Sequence, residues 1–156
     1  MLFEDFKKSV IVLCDENANS LRRKYIDTFI NVDHPHFIRY ISHLERFSDG
    51  YCYTGYLWDC LISPTVIDFD YFKTVTFSTD VFVLWDIHSK EKIFVENYWK
   101  FNKSDVLKLN YDVLLNNLEY LPEDIYIFDE TFSWTLILTH EENIPKVRLC
   151  AKCGKV

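Results

Sequence analysis

Glycine and proline are scarce in this chain, with three and four among 156 residues. Turns that need a positive φ are therefore few, and no stretch has the composition of a flexible linker. No basic segment leads into an apolar run, and no apolar stretch approaches membrane-spanning length. The expected compartment is the cytoplasm, with no membrane partner. Disulfides are not expected either: the five cysteines (Cys14, Cys52, Cys60, Cys150, Cys153) are an odd, scattered set. There is also no internal repeat and no low-complexity tract.

Positive charge is missing from one long run. Between Glu119 and Pro145 stand seven acids and no Lys or Arg, whereas KVRLCAKCGKV after Pro145 holds four bases and no acid. The net charge of −7 becomes −11 once those four bases are set aside. A body this acidic repels phosphate backbones and attracts a basic surface, so nucleic acid is not an expected partner.

What the chain does have is apolar mass. Nearly half of it is hydrophobic and 17% aromatic, enough to bury a core without metal or disulfide staples. Its most legible stretch is DIYIFDETFSWTLILTHEE, which the alternation and β-branched content predict as a hairpin of strands 125–128 and 133–139. Trp134, Leu136 and Leu138 make one face apolar, while Ser133, Thr135, Ile137 and Thr139 make the other mixed.

Upstream, residues 2–13 predict a helix, or a helix followed by a buried strand. Residues 15–31 predict a helix with a Leu21, Tyr25, Phe29, Val32 stripe and Arg22, Arg23 and Lys24 largely off it. Pro35 can begin a second helix carrying Phe37, Tyr40, Ile41, Leu44 and Phe47, ended by Gly50. Ser63-Pro64 can cap a short helix reaching Phe72. Strand 81–85 is expected to pair with 92–95, residues 106–109 to form another strand or to end a short helix capped by Ser104, and Asn110 to cap a helix from Tyr111 to Tyr120. Helices first and strands later predict a single α+β domain: an antiparallel sheet with helices on one face. Its helical half is about 1–73, its mainly β half about 75–145, and 146–156 is a basic C-terminal tail.

Several groups carry possible chemistry. Cys150-Ala-Lys-Cys153 could grip zinc, but a tetrahedral site needs a second pair, and there is no second CxxC. A frayed tail with two free thiols is the simpler reading, and no cofactor is expected. His34, His36 and His43 lack carboxylates at ligand spacing and read as a surface helix start. Asp86, His88 and Ser89 are sequence neighbours on a turn, where catalytic groups seldom converge. Thr139-His140-Glu141 lacks the second histidine of a metalloprotease helix. The aromatics of Glu96 to Phe101 have only Lys100 and Lys103 beside them, too little for single-stranded nucleic acid.

Taken together, VFVLWDIHSKEKIFVENYWKF, a short helix and LPEDIYIFDETFSWTLILTHE resemble the sheet half of small bacterial immunity proteins of contact-dependent and polymorphic toxin systems. The resemblance covers the second half and implies a protein partner, often a basic nuclease. The expected function is a stoichiometric inhibitor rather than an enzyme. Its expected contact residues are Asp124, Asp129, Glu130, Glu141 and Glu142 at the hairpin ends, with Tyr51, Tyr53 and Trp58 as aromatic anchors. The alternatives are an enzyme using Asp86, His88, His140 and Glu141 if the fold joins two turns, and a zinc-stabilised interaction domain using Cys150 and Cys153.

Overall fold

The computed structural model describes residues 1–93, 95–141 and 146–151. Strand β5 (Val81–Leu84) and strand β7 (Ile125–Phe128) lie at its centre, every residue of both buried. Such runs read as continuously apolar because both sides of the sheet are covered. Around them an antiparallel sheet of seven strands runs β1 (Ile11–Leu13), β6 (Val106–Leu109), β5, β7, β8 (Trp134–Thr139), β9 (Lys146–Ala151), β4 (Thr65–Ile67). A separate two-stranded ribbon joins β2 (Glu45–Phe47) to β3 (Gly50–Cys52). The fold is thus α+β and antiparallel, as the sequence predicts.

The helices do not share one face. Alternation along the strands divides the core in two. Phe82, Leu84, Tyr126, Phe128 and Ile137 pack with Ala18, Tyr25 and Phe29 of α2 (Asp15–Phe29). Val81, Val83, Ile125, Ile127 and Leu136 pack with Phe6 of α1 (Phe3–Lys8), Phe72 of α4 (Phe69–Thr74), and Tyr111 and Leu114 of α5 (Tyr111–Leu115). The "mixed" face of β8 is therefore also interior: Thr135 and Ile137 are buried, and Thr135 meets the Tyr25 hydroxyl at 2.8 Å.

Other expectations are corrected locally. The 92–95 strand does not pair with β5, whose neighbours are β6 and β7; a 3₁₀ turn occupies Lys90–Lys92, and Phe94 lies outside the described residues. Residues 146–151 are an interior strand between β8 and β4 rather than a tail. Arginine and lysine on one face of β9 find Glu141, which makes pairing better than fraying. The second helix, α3 (Pro35–Tyr40), is capped by His34 and stops early, so Gly50 serves the β2–β3 turn at φ 115° instead of ending a helix. After Pro64 the chain forms β4, and α4 starts from an Asp68 cap. The two sequence halves are interleaved, because β1 and β4 form the sheet's two edges.

Candidate functional site

Strand β5 ends at Leu84, and the chain leaves the sheet through Trp85, Asp86, Ile87 and His88. The start of β7 and the end of β8 lie at the same end of the sheet, since Ile125 pairs with Leu138. The topology thus joins the two turns that sequence distance separates: Asp86, His88, Asp124 and His140 all line one chamber of about 180 Å³. Tyr56, Lys92, Tyr98, Trp99 and Glu123 complete most of its wall. Outside it, sharing Val95, Tyr98, Pro122, Glu123 and His140, opens a groove of about 660 Å³.

The floor under the chamber is a buried polar network. Asp86, 3% exposed, accepts from the Tyr53 hydroxyl (2.8 Å), the Tyr126 hydroxyl (2.7 Å) and the Leu57 N–H (3.1 Å). Tyr126 in turn accepts from the Trp58 N–H at 3.0 Å. Burial, then the Asp86 charge, pushes both tyrosines well above the ordinary phenol value, so they remain donors. Arg22, 7% exposed, feels Asp86 electrostatically and donates to the Trp85 carbonyl at 2.7 Å. Sequence reasoning missed Arg22. Its signal was the 18, 22, 25, 29 spacing of the buried residues of α2.

The second element of the site is a carboxylate–imidazole pair. Asp124 is buried and accepts from the His140 N–H (3.0 Å) and the His140 Nδ1 (2.6 Å). Burial raises the Asp124 carboxyl above its ordinary value, and His140 partly offsets that. With its Nδ1 proton held by the carboxylate, neutral His140 would keep a lone pair on Nε2. His88 is held differently: its Nε2 donates to the Gly55 carbonyl at 2.6 Å. Gly55 has no room for a side chain, since a Cβ would come 2.7 Å from that of Tyr40.

The remaining predicted contact residues scatter. Tyr53 is buried on Asp86, Tyr51 is 63% exposed on β3, and Trp58 is half-buried under the Arg148 guanidinium, 4.9 Å from its ring centre. Asp129 is engaged in its own turn by Thr131 N–H (2.9 Å) and Trp134 Nε1 (3.1 Å), and Glu130 is exposed beside it. Glu141 is ion-paired to Arg148 and, at 3.1 Å, Lys146. Glu142 and Cys153 lie outside the described residues. Cys150 is buried in β9 opposite Thr135, and burial lifts its thiol to about 11. No three His, Cys, Asp or Glu side chains gather as a metal-ligand cluster among the described residues.

Comparison with known proteins brought no match: no family model, no curated protein and no solved structure matches this chain.

Proposed function

We propose that this protein is a stoichiometric binder and inhibitor of a basic protein, such as a toxin nuclease domain, docking it at the outer groove. The observation that supports this reading is the groove's composition. Its floor is apolar (Leu118, Leu121, Leu138), and its rim carries Glu96, Glu119 and Glu123 against one base, Lys100. None of the three glutamates has a Lys or Arg within ion-pair distance among the described residues. Glu123 lies 4.0 Å from His140 Nδ1, and an apolar floor below carboxylates that no Lys or Arg pairs suits a cationic side chain on an aliphatic stem. The hairpin acids serve less well, because Asp129 is engaged in its own turn and Glu141 is neutralised by β9.

A second reading, an enzyme, has one observation in its favour: the Asp124–His140 pair, arranged as a base held in one tautomer. It ranks lower because the nearby serine and threonine hydroxyls are already committed, Ser89 to Asp49 and Thr139 to the Lys146 carbonyl.

The test is a partner isolated from the source cell and its association rate measured against salt. Glu96→Gln/Glu119→Gln/Glu123→Gln should slow association about tenfold at low ionic strength, with the difference shrinking at high salt. Neutralising Asp129, Glu130, Glu141 and Glu142 should change it little. An unaltered rate in the triple variant would remove the groove from the interface.

A further inference from the structure

The seven-stranded sheet ends at β1, which pairs with β6 through Ile11, Val12 and Leu13 on its inner side. Its outer side is open. Among the described residues, no backbone hydrogen bond outside the β1–β6 ladder engages Val10, Ile11, Val12 or Leu13. Ile11 is 55% exposed and Val12 37%. Helix α2 leads away from this edge, since Tyr25 packs its ring on Tyr126 and Phe128 of β7, two strands beyond β6.

Exposed sheet edges are usually blunted by a proline, a charge or a bulge. β1 has none of these: Val10 to Leu13 is uncharged, and its register with β6 is continuous. β4, at the opposite edge, follows Pro64, which has no N–H, and precedes Asp68 and Asp70.

The flanks of β1 are oppositely charged. Lys7 and Lys8 precede it, Asp15 and Glu16 follow it, and all four are exposed. Lys7, Lys8 and Asp15 have no ion-pair partner among the described residues, and Glu16 meets only the exposed Arg23, at 3.5 Å. Cys14 continues the extended backbone (φ −134°, ψ 174°) past Leu13. Antiparallel pairing of two such edges about Val12 sets Ile11 opposite Leu13 and Val10 opposite Cys14. It also brings Lys7-Lys8 of each copy beside Asp15-Glu16 of the other, at both ends of the paired segment. The same operation on β4 about Val66 would set Asp68 against Pro64, with no charge to receive it.

We propose that β1 is the interface of a two-fold symmetric dimer, in which a second copy of this chain joins edge to edge about an axis at Val12. No residue lining the outer groove lies between Lys7 and Glu16, so the pairing takes nothing from either groove. An edge this short buries less than a standard interface, and the dissociation constant is expected on the order of 10⁻⁵–10⁻⁴ M.

Sedimentation of the full chain between about 10 µM and about 1 mM should show the mass rising to that of a dimer and no further. Val12→Lys puts like charges opposite each other at the axis and should weaken association about tenfold or more. Its far-ultraviolet circular dichroism and urea midpoint should match the parent, because the side chain is at the surface. Charge exchange tests the register. Lys7→Glu/Lys8→Glu, and separately Asp15→Asn/Glu16→Lys, should each associate about tenfold more weakly alone. Asparagine is chosen at position 15 because it tolerates the φ of 52° there. An equimolar mixture of the two variants should recover association as a heterodimer, since both ends are then attractive. In a Cys14→Ser/Cys153→Ser background, Val12→Cys should cross-link to its own copy on mild oxidation, the Cα atoms lying about 4.5–5.5 Å apart. Ile11→Cys, roughly 7–8 Å from its own copy on the diagonal, should not.

A monomer throughout the concentration range would overturn the dimer, as would undiminished association of the folded Val12→Lys variant. A mixture that associates no better than its components, or equal cross-linking through positions 11 and 12, would overturn the register. Mass growing past a dimer would replace the two-fold pairing by head-to-tail joining of β1 to β4.

Discussion

Asp86→Ala tests the network that supports the whole site. The carboxylate sits 3% exposed and accepts three hydrogen bonds, from Tyr53, Tyr126 and Leu57. Bonds to a charged acceptor contribute roughly 1.5–3 kcal/mol each, and each buried donor left without a partner carries a desolvation cost of similar size. These terms overlap, so the simple sum overstates the loss. Removing Asp86 also takes away the negative charge that buried Arg22 feels. The expected destabilisation is about 4–6 kcal/mol, against a total of about 5–15 for a domain of ordinary stability. In urea, with a slope near ~2 kcal/mol/M, the midpoint should fall by about 2–3 M. Asp86→Asn keeps one acceptor oxygen but turns an amide toward Tyr126, whose oxygen already accepts from Trp58. It should lose about half as much, roughly 2–3 kcal/mol. The assay is equilibrium unfolding followed by tryptophan fluorescence and far-ultraviolet circular dichroism on the same samples. An alanine variant within about 1 kcal/mol of the parent would refute the reasoning, because it would mean the three donors find other partners at no cost.

Three further outcomes follow from the structure. Glu141 is pushed up by burial but held net below its ordinary value by Arg148 and Lys146, so its contribution to stability is present above the unfolded value near ~4.3 and lost as pH falls through the lower folded value. Glu141→Gln should therefore lower stability at neutral pH and flatten the acid limb of a stability–pH curve; an unchanged acid limb would rule out the pairing. Burial lifts the thiols of Cys60 and Cys150 to about 12 and about 11, and Cys52 is buried too. At pH 8 these three should resist alkylation in the native protein and react in guanidinium, while exposed Cys14 reacts in both; peptide mapping reads the result, and native labelling of any buried thiol at the rate of Cys14 would contradict it. Thr135 donates to the Ile127 carbonyl (2.9 Å), which makes Tyr25 the donor in their 2.8 Å contact. Tyr25→Phe should accordingly cost about 1 kcal/mol and Thr135→Val about 2, by thermal or urea unfolding, with the reverse order arguing against this assignment.

Local pattern alone determined several elements of this protein. The hairpin of β7 and β8 follows from alternating β-branched and aromatic residues, α2 from its long amphipathic stripe, and the start of α5 from an Asn110 cap that accepts from Asp112 and Val113, although the helix ends at Leu115 and a 3₁₀ turn, Leu118–Tyr120, takes the rest of the predicted span. These are decided by interactions within a few residues, which is what periodicity and capping register. The tertiary structure decided the rest. Whether β8 has one buried face or two depends on α2 reaching Thr135 from across the chain, and no period within β8 reports that. A basic segment that reads as a tail becomes β9 because Glu141 and the open edge of β8 are there to receive it. The site is non-local in the same way. Asp86 and His88 leave β5, Asp124 enters β7 and His140 ends β8, and only the β5–β7–β8 order places four residues spread over more than fifty positions around one small chamber. Sequence supplies the residues capable of chemistry; strand order, set by long-range pairing, selects which of them meet.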